Sequence, residues 1–135
     1  VSGGGFSARI TDSGPSLAGA QEALAAYLVA ADLPARLVAR SQVVVEEVVL
    51  NALGHGGATR LEIEAEAGPG GCALRFADDG APFDPATAPL PPRAAALDEP
   101  GEGGRGLLLV RRFASSLAYA REGGENRLAL RLEAG

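Results

Sequence analysis

The sequence predicts a two-layer α/β sandwich, a mixed and largely antiparallel sheet covered on one face by helices. Two observations carry this prediction. Helical spacing fills most of the chain from residue 15 to residue 54, and strand-like segments lie on either side of that block, four of them paired across glycine-rich turns. A third sets the scale: 135 residues with 47% hydrophobic content suffice for one domain, residues 1–135, with a buried core.

Taken in order, residues 1–5 are Gly/Ser-rich and expected to be loose, and Phe6-Ser7-Ala8-Arg9-Ile10-Thr11 alternates as a half-buried strand does. Asp12, Ser13 and Ser16 are available caps and Pro15 suits an opening turn. From there Leu17, Ala20, Leu24, Tyr27 and Leu28 recur at helical spacing. Leu33-Pro34 breaks that helix, and a second is expected over 34–54. Its Val43-Val44-Val45 run alone would read as a strand, but the uninterrupted length favours a helix. Gly54, Gly56 and Gly57 end it. The segments 60–66 and 72–77, joined across Gly68-Pro69-Gly70-Gly71, read as a hairpin. A Pro- and Ala-rich loop follows, then a short helix over 107–113, then strands near 116–119 and 127–132 around Gly123-Gly124. The uncovered face of such a sheet must stay partly polar.

Composition excludes several functions. The net charge of −5 with no basic stripe argues against nucleic acid. All twelve basic residues are Arg, so a phosphate-binding or Schiff-base lysine is ruled out. One Cys and one His rule out His/Cys-rich zinc sites. Cys72 reads as a buried thiol, and neither a membrane span nor a signal sequence stands out, which points to the cytoplasm.

Polar residues interrupt the second helix at a useful spacing. Glu47 and Asn51, four apart, project from one face, with His55 a turn further on. A carboxylate can accept a proton, and an amide oxygen is a neutral hard ligand suited to Mg²⁺. His55 needs no role beyond its place near a helix end. Asp78, in Asp78-Asp79-Gly80-Ala81-Pro82-Phe83-Asp84, closes a strand where a carboxylate is held rigidly, and Gly80 lets a flat ligand reach the backbone. An adenine amine is a donor, and an ionised Asp is its natural partner. Asp79 and Asp84 read as turn and cap residues, and Arg111-Arg112 as a solvated helix edge. Gly101-Glu102-Gly103-Gly104-Arg105-Gly106 leads into a helix whose free N–H groups attract phosphate. It spells G-x-G-x-x-G, but Pro-rich loop and not a strand precedes it, so a dinucleotide fold does not follow.

Together, Glu-x-x-x-Asn with Ala-x-x-His-Gly, then Asp-x-Gly-x-Pro-Phe-Asp-Pro, then Gly-Gly-Arg-Gly-Leu, resemble the GHKL (Bergerat-fold) ATPases. The similarity is greatest to the anti-sigma-factor serine/threonine kinase branch, and it covers nearly the whole chain. The resemblance implies ATP and Mg²⁺ as ligands, with Glu47 as general base and Asn51 as metal ligand. It places Asp78 and Gly80 at the adenine, Gly103, Gly104, Arg105 and Gly106 at the phosphates, and an ATP lid over 85–103, to be ordered by the triphosphate. It further implies phosphorylation of a STAS-type anti-anti-sigma protein, a sigma factor as a sequestered partner, and a homodimer. Glu102 stands where some kinases of that branch carry a basic side chain. A second function therefore stays open: a non-catalytic, ATP-switched binding module, or the ATPase domain of a larger sensor or phosphatase chain.

Overall fold

A computed structural model describes residues 5–87 and 103–134. Strand β1 is Gly5–Ile10, helices α1 and α2 are Pro15–Ala30 and Ala35–Val49, and a π-helical stretch, Leu50–His55, continues α2. Strands β2 (Leu61–Gly68) and β3 (Gly71–Asp78) form a hairpin. Helix α3 (Gly103–Phe113) runs directly into β4 (Ala114–Glu122), which turns at Gly123-Gly124 into β5 (Glu125–Glu133). The sheet order is β1-β2-β3-β5-β4, and every described pairing is antiparallel.

The predicted elements are all present, with differences at their ends. Gly5, expected in the loose N-terminal stretch, pairs with Glu66 as the first residue of β1. The second helix does not run unbroken to Gly54. It changes at Leu50 to a wider π turn in which Gly56 N–H donates to the Asn51 carbonyl at 2.8 Å. Helix α3 begins at Gly103 and not near Leu107, because the glycines themselves take helical backbone. Most of the expected lid lies outside the described residues; Pro85 to Thr87 form a turn closed by Asp84, which accepts from Ala86 N–H at 2.9 Å.

Local chemistry fixes the helix start. Gly14 at the N-cap has no side chain to offer, so Asp12 reaches forward and accepts from the Gly14 and Ser16 N–H groups at 2.9 and 3.0 Å. Ser16 Oγ in return accepts from Thr11 and Asp12 N–H. Leu17, Ala20, Leu24 and Leu28 of α1 and Leu37, Val44, Val45 and Val49 of α2 then face the sheet, as the spacing requires.

One sheet face builds the core. Ile10, Leu61, Ile63, Leu74, Phe76, Leu128, Leu130 and Leu132 are buried beneath the helices, with Cys72 among them. Burial pushes the Cys72 thiol up to about 11, so it is an inert core residue, as its setting suggested. The opposite face carries Glu62, Glu64, Arg75 and Arg127, including an Arg75–Glu64 pair at 3.2 Å, which meets the expectation of a partly polar outer surface.

Candidate functional site

The alternation of β3 turns Asp78 toward the helices at the end of the central strand, where it is 7% exposed. Register sets Asn126 of β5 directly opposite it, and Arg121 of β4 opposite Asn126. Asp78 Oδ1 accepts from Gly80 N–H at 2.8 Å and from Asn126 Nδ2 at 3.1 Å. Among the described residues no group donates to the second oxygen. One carboxylate oxygen is thus anchored, and the other is left for a donor entering the cleft.

Gly80 is held by packing as well as by its bond to Asp78. A Cβ there would sit 3.0 Å from both Asp78 Oδ1 and the Gly56 carbonyl and 3.2 Å from Ala58 Cβ, so a side chain would crowd both oxygens. Ala81 N–H donates to that same Gly56 carbonyl at 2.9 Å. The segment after β3 is thereby tied to the end of the π turn that carries Asn51, and such turns recur at functional sites because they re-aim side chains.

Asn51 and Asp78 line one cleft, together with Val48, Phe76, Phe83 and Leu107. Its cavity volume is about 40 Å³, room for little more than a water molecule. A purine enters only if its apolar walls part. Among the described residues no group of three or more His, Cys, Asp and Glu gathers to hold a metal. An Asn51 amide oxygen suits Mg²⁺ under those conditions, since that ion keeps its waters and takes most of its remaining oxygens from phosphates.

Glu47 leaves α2 toward α3. Its carboxylate lies against Gly106, in the first turns of the helix, where a Cβ on Gly106 would overlap Oε1, Cδ and Cγ. Burial first, and then repulsion from Glu46, raises the Glu47 carboxyl above the ordinary 4.5. Such a shift makes it a better proton acceptor than a solvated glutamate. Gly103, Gly104 and Arg105 form the opening turn of α3, beside this carboxylate's neighbour Gly106.

The residues read as structural are mostly so. Asp79 accepts from Thr59 N–H, Thr59 Oγ1 and Arg60 N–H and so clamps the start of β2 to the end of β3. His55 is exposed at the end of the π turn. Arg111 differs from expectation: its Nε donates to the Pro85 carbonyl at 2.7 Å and ties α3 to the first residue of the expected lid.

Sequence reasoning missed three residues, Asn126, Tyr119 and Arg121. Tyr119 Oη donates to Asn126 Oδ1, and Arg121 donates to the Gly80 carbonyl at 2.7 Å. The available signal was Asn126 itself, a polar residue in register with Leu128, Leu130 and Leu132 on an otherwise apolar strand face.

Comparison with known proteins places the chain in a family. Over 58 residues the chain is 47% identical to the serine/threonine-protein kinase BtrW of Bordetella bronchiseptica, a stretch covering 43% of this chain and 41% of that protein. The profile of the histidine kinase-like ATPase domain runs from residue 6 to residue 132, from the first strand to the last. A match of that extent makes this chain a member of the histidine kinase-like ATPase domain family, within the GHKL superfamily its motifs resemble.

Proposed function

We propose that this chain binds Mg-ATP in the cleft between Asp78 and α3 and transfers the terminal phosphoryl group to a serine or threonine hydroxyl of a STAS-type anti-anti-sigma protein. A sigma factor is the second partner of this reading. The ATPase family gives the nucleotide, and the partial identity to a serine/threonine kinase supports the reaction. The observation that carries it is the half-committed Asp78 carboxylate, anchored through Oδ1 and open at Oδ2, which suits the exocyclic amine of adenine.

In this mechanism Phe83 and Leu107 separate to admit the ring, and the phosphates extend toward Asn51 and the first turn of α3, where free N–H groups and the helix dipole favour anions. Asn51 would hold Mg²⁺ through its amide oxygen, and the ion would supply neutralisation of the phosphate charge. The acceptor hydroxyl oxygen bonds to the terminal phosphorus as its bond to the bridging oxygen breaks and ADP departs. Glu47 takes the hydroxyl proton, and its raised pKa suits it to the task.

The test is incubation with Mg-ATP and candidate STAS partners, followed by intact-mass measurement of both proteins. A gain of one phosphoryl group on the partner is expected. Binding of ATP with an unmodified partner would replace the kinase reading with that of an ATP-switched binding module. The adenine assignment has its own test: Asp78→Asn should weaken ATP binding by about 1–3 kcal/mol, and GTP should bind the wild type poorly. Equal calorimetric affinities for ATP and GTP in the wild type would refute it.

A further inference from the structure

We infer that Asn126 is a positioning residue for nucleotide selection: it aims the free oxygen of Asp78, and through that oxygen it sets the preference for a purine bearing a 6-amino group. The inference rests on the adenine reading above and goes beyond it to a residue that the motifs leave unassigned.

Asn126 is 6% exposed, and its amide orientation is fixed without ambiguity. The Phe83 N–H can only donate, and it lies 3.2 Å from Oδ1; the Ala81 carbonyl can only accept, and it lies 2.8 Å from Nδ2. The oxygen therefore faces Phe83 and Tyr119, and the NH₂ group faces Ala81 and Asp78. All four bonding positions of the amide are filled. A flip would place oxygen against two acceptors and NH₂ against a backbone donor.

The consequence falls on Asp78. Its Oδ1 is held from two directions, by Asn126 across the sheet and by Gly80 along the chain, so rotation of the carboxylate would break two bonds at once. The bonds from Asn126 also reach Ala81 and Phe83 in the loop that walls the cleft. One side chain thus fixes both the acceptor and the wall facing it. Arg121 adds a hold on the Gly80 carbonyl from the neighbouring strand. Preorganisation of this kind shows as selectivity, because a carboxylate free to turn gains little more from a donor than water gives it.

The experiment compares ATP with purine riboside triphosphate, which lacks the 6-amino group, by calorimetry on wild type, Asn126→Ala and Asn126→Asp. Wild type should prefer ATP by about tenfold or more, the scale of one charged hydrogen bond. Both variants should lose most of that preference, the affinity for ATP falling by a clearly larger factor than that for purine riboside triphosphate. A purely structural role would weaken both nucleotides alike. Asn126→Asp keeps the shape and the bonds to Oδ1 but places a second carboxylate oxygen against Asp78, so it gives the reading if Asn126→Ala fails to fold. An undiminished preference for ATP in the variants would overturn the role of Asn126 alone. Absence of any preference in the wild type would instead overturn the adenine assignment, and this inference with it.

Discussion

The Glu47 carboxylate and Gly106 face each other across the contact between α2 and α3, so closely that a methyl group on Gly106 would overlap the carboxylate. Helix propensity alone favours Ala over Gly by about 1 kcal/mol at such a position, while overpacking costs about 1–3 kcal/mol. Gly106→Ala should therefore destabilise the wild type, and it should be neutral or stabilising when Glu47 is also replaced by Ala. Urea unfolding of the four proteins in this cycle measures the coupling. The same sign of effect in both backgrounds would contradict the contact.

The environment of Glu47 also sets a pH dependence. In the proposed role of general base Glu47 works in its ionised form, so transfer should fall as pH drops through its pKa, which burial and Glu46 hold above 4.5. Glu46→Gln removes the repulsive part and leaves the burial. Its acidic limb should move to lower pH, with the plateau rate unchanged. A limb that stays in place would show that another group governs the profile.

Much of this was legible in the sequence because periodicity is a local property. Leu17 to Leu28 announces α1, and Leu61 to Glu66 announces β2, through spacing that neighbouring residues set by themselves. Asp78 and Gly80 were legible for a related reason, as a carboxylate and a glycine at a strand end. The π turn at Asn51 was not, because its end is fixed by a bond from Ala81 to Gly56, 25 residues apart by number. Nor could the spacing show that Glu47 meets Gly106, or that Tyr119 and Arg121 converge on Asn126 and Gly80. Those contacts exist only once β4 and β5 have paired and α3 has docked on α2.

Asp79 predicts acid sensitivity. Hydrogen bonds from the Thr59 side chain and backbone hold its carboxyl down at about 2, from an ordinary 3.8. A depressed folded-state pKa contributes stability that is complete above the unfolded value and is lost as pH falls toward the folded one. Asp79→Ala should lower the melting temperature at neutral pH and flatten its decline between pH 3.8 and about 2. Thermal melts across that range check both, and an unchanged slope would mean that the clamp between β2 and β3 does not govern acid stability.

Asn51 as the proposed metal ligand and Glu47 as the proposed base stand four residues apart in sequence, and in those roles they would act on different species. Asn51 lines the cleft with Asp78, whereas Glu47 lies against α3, so loss of either should leave the other's partner in place. Asn51→Ala removes a neutral oxygen and should abolish the Mg²⁺-dependent part of ATP affinity, leaving the metal-free part near that of the wild type. Glu47→Gln keeps the shape and loses the proton acceptor. It should bind Mg-ATP nearly as well as the wild type while slowing transfer about 10²–10⁴-fold, the usual scale for a general base. Titration of ATP with and without Mg²⁺, paired with single-turnover transfer to the partner, distinguishes the two phenotypes in kind. If Glu47→Gln transfers at the wild-type rate, its half-buried carboxylate serves the packing of α3 and not the chemistry. Proton acceptance would then have to come from elsewhere in the cleft or from the partner itself.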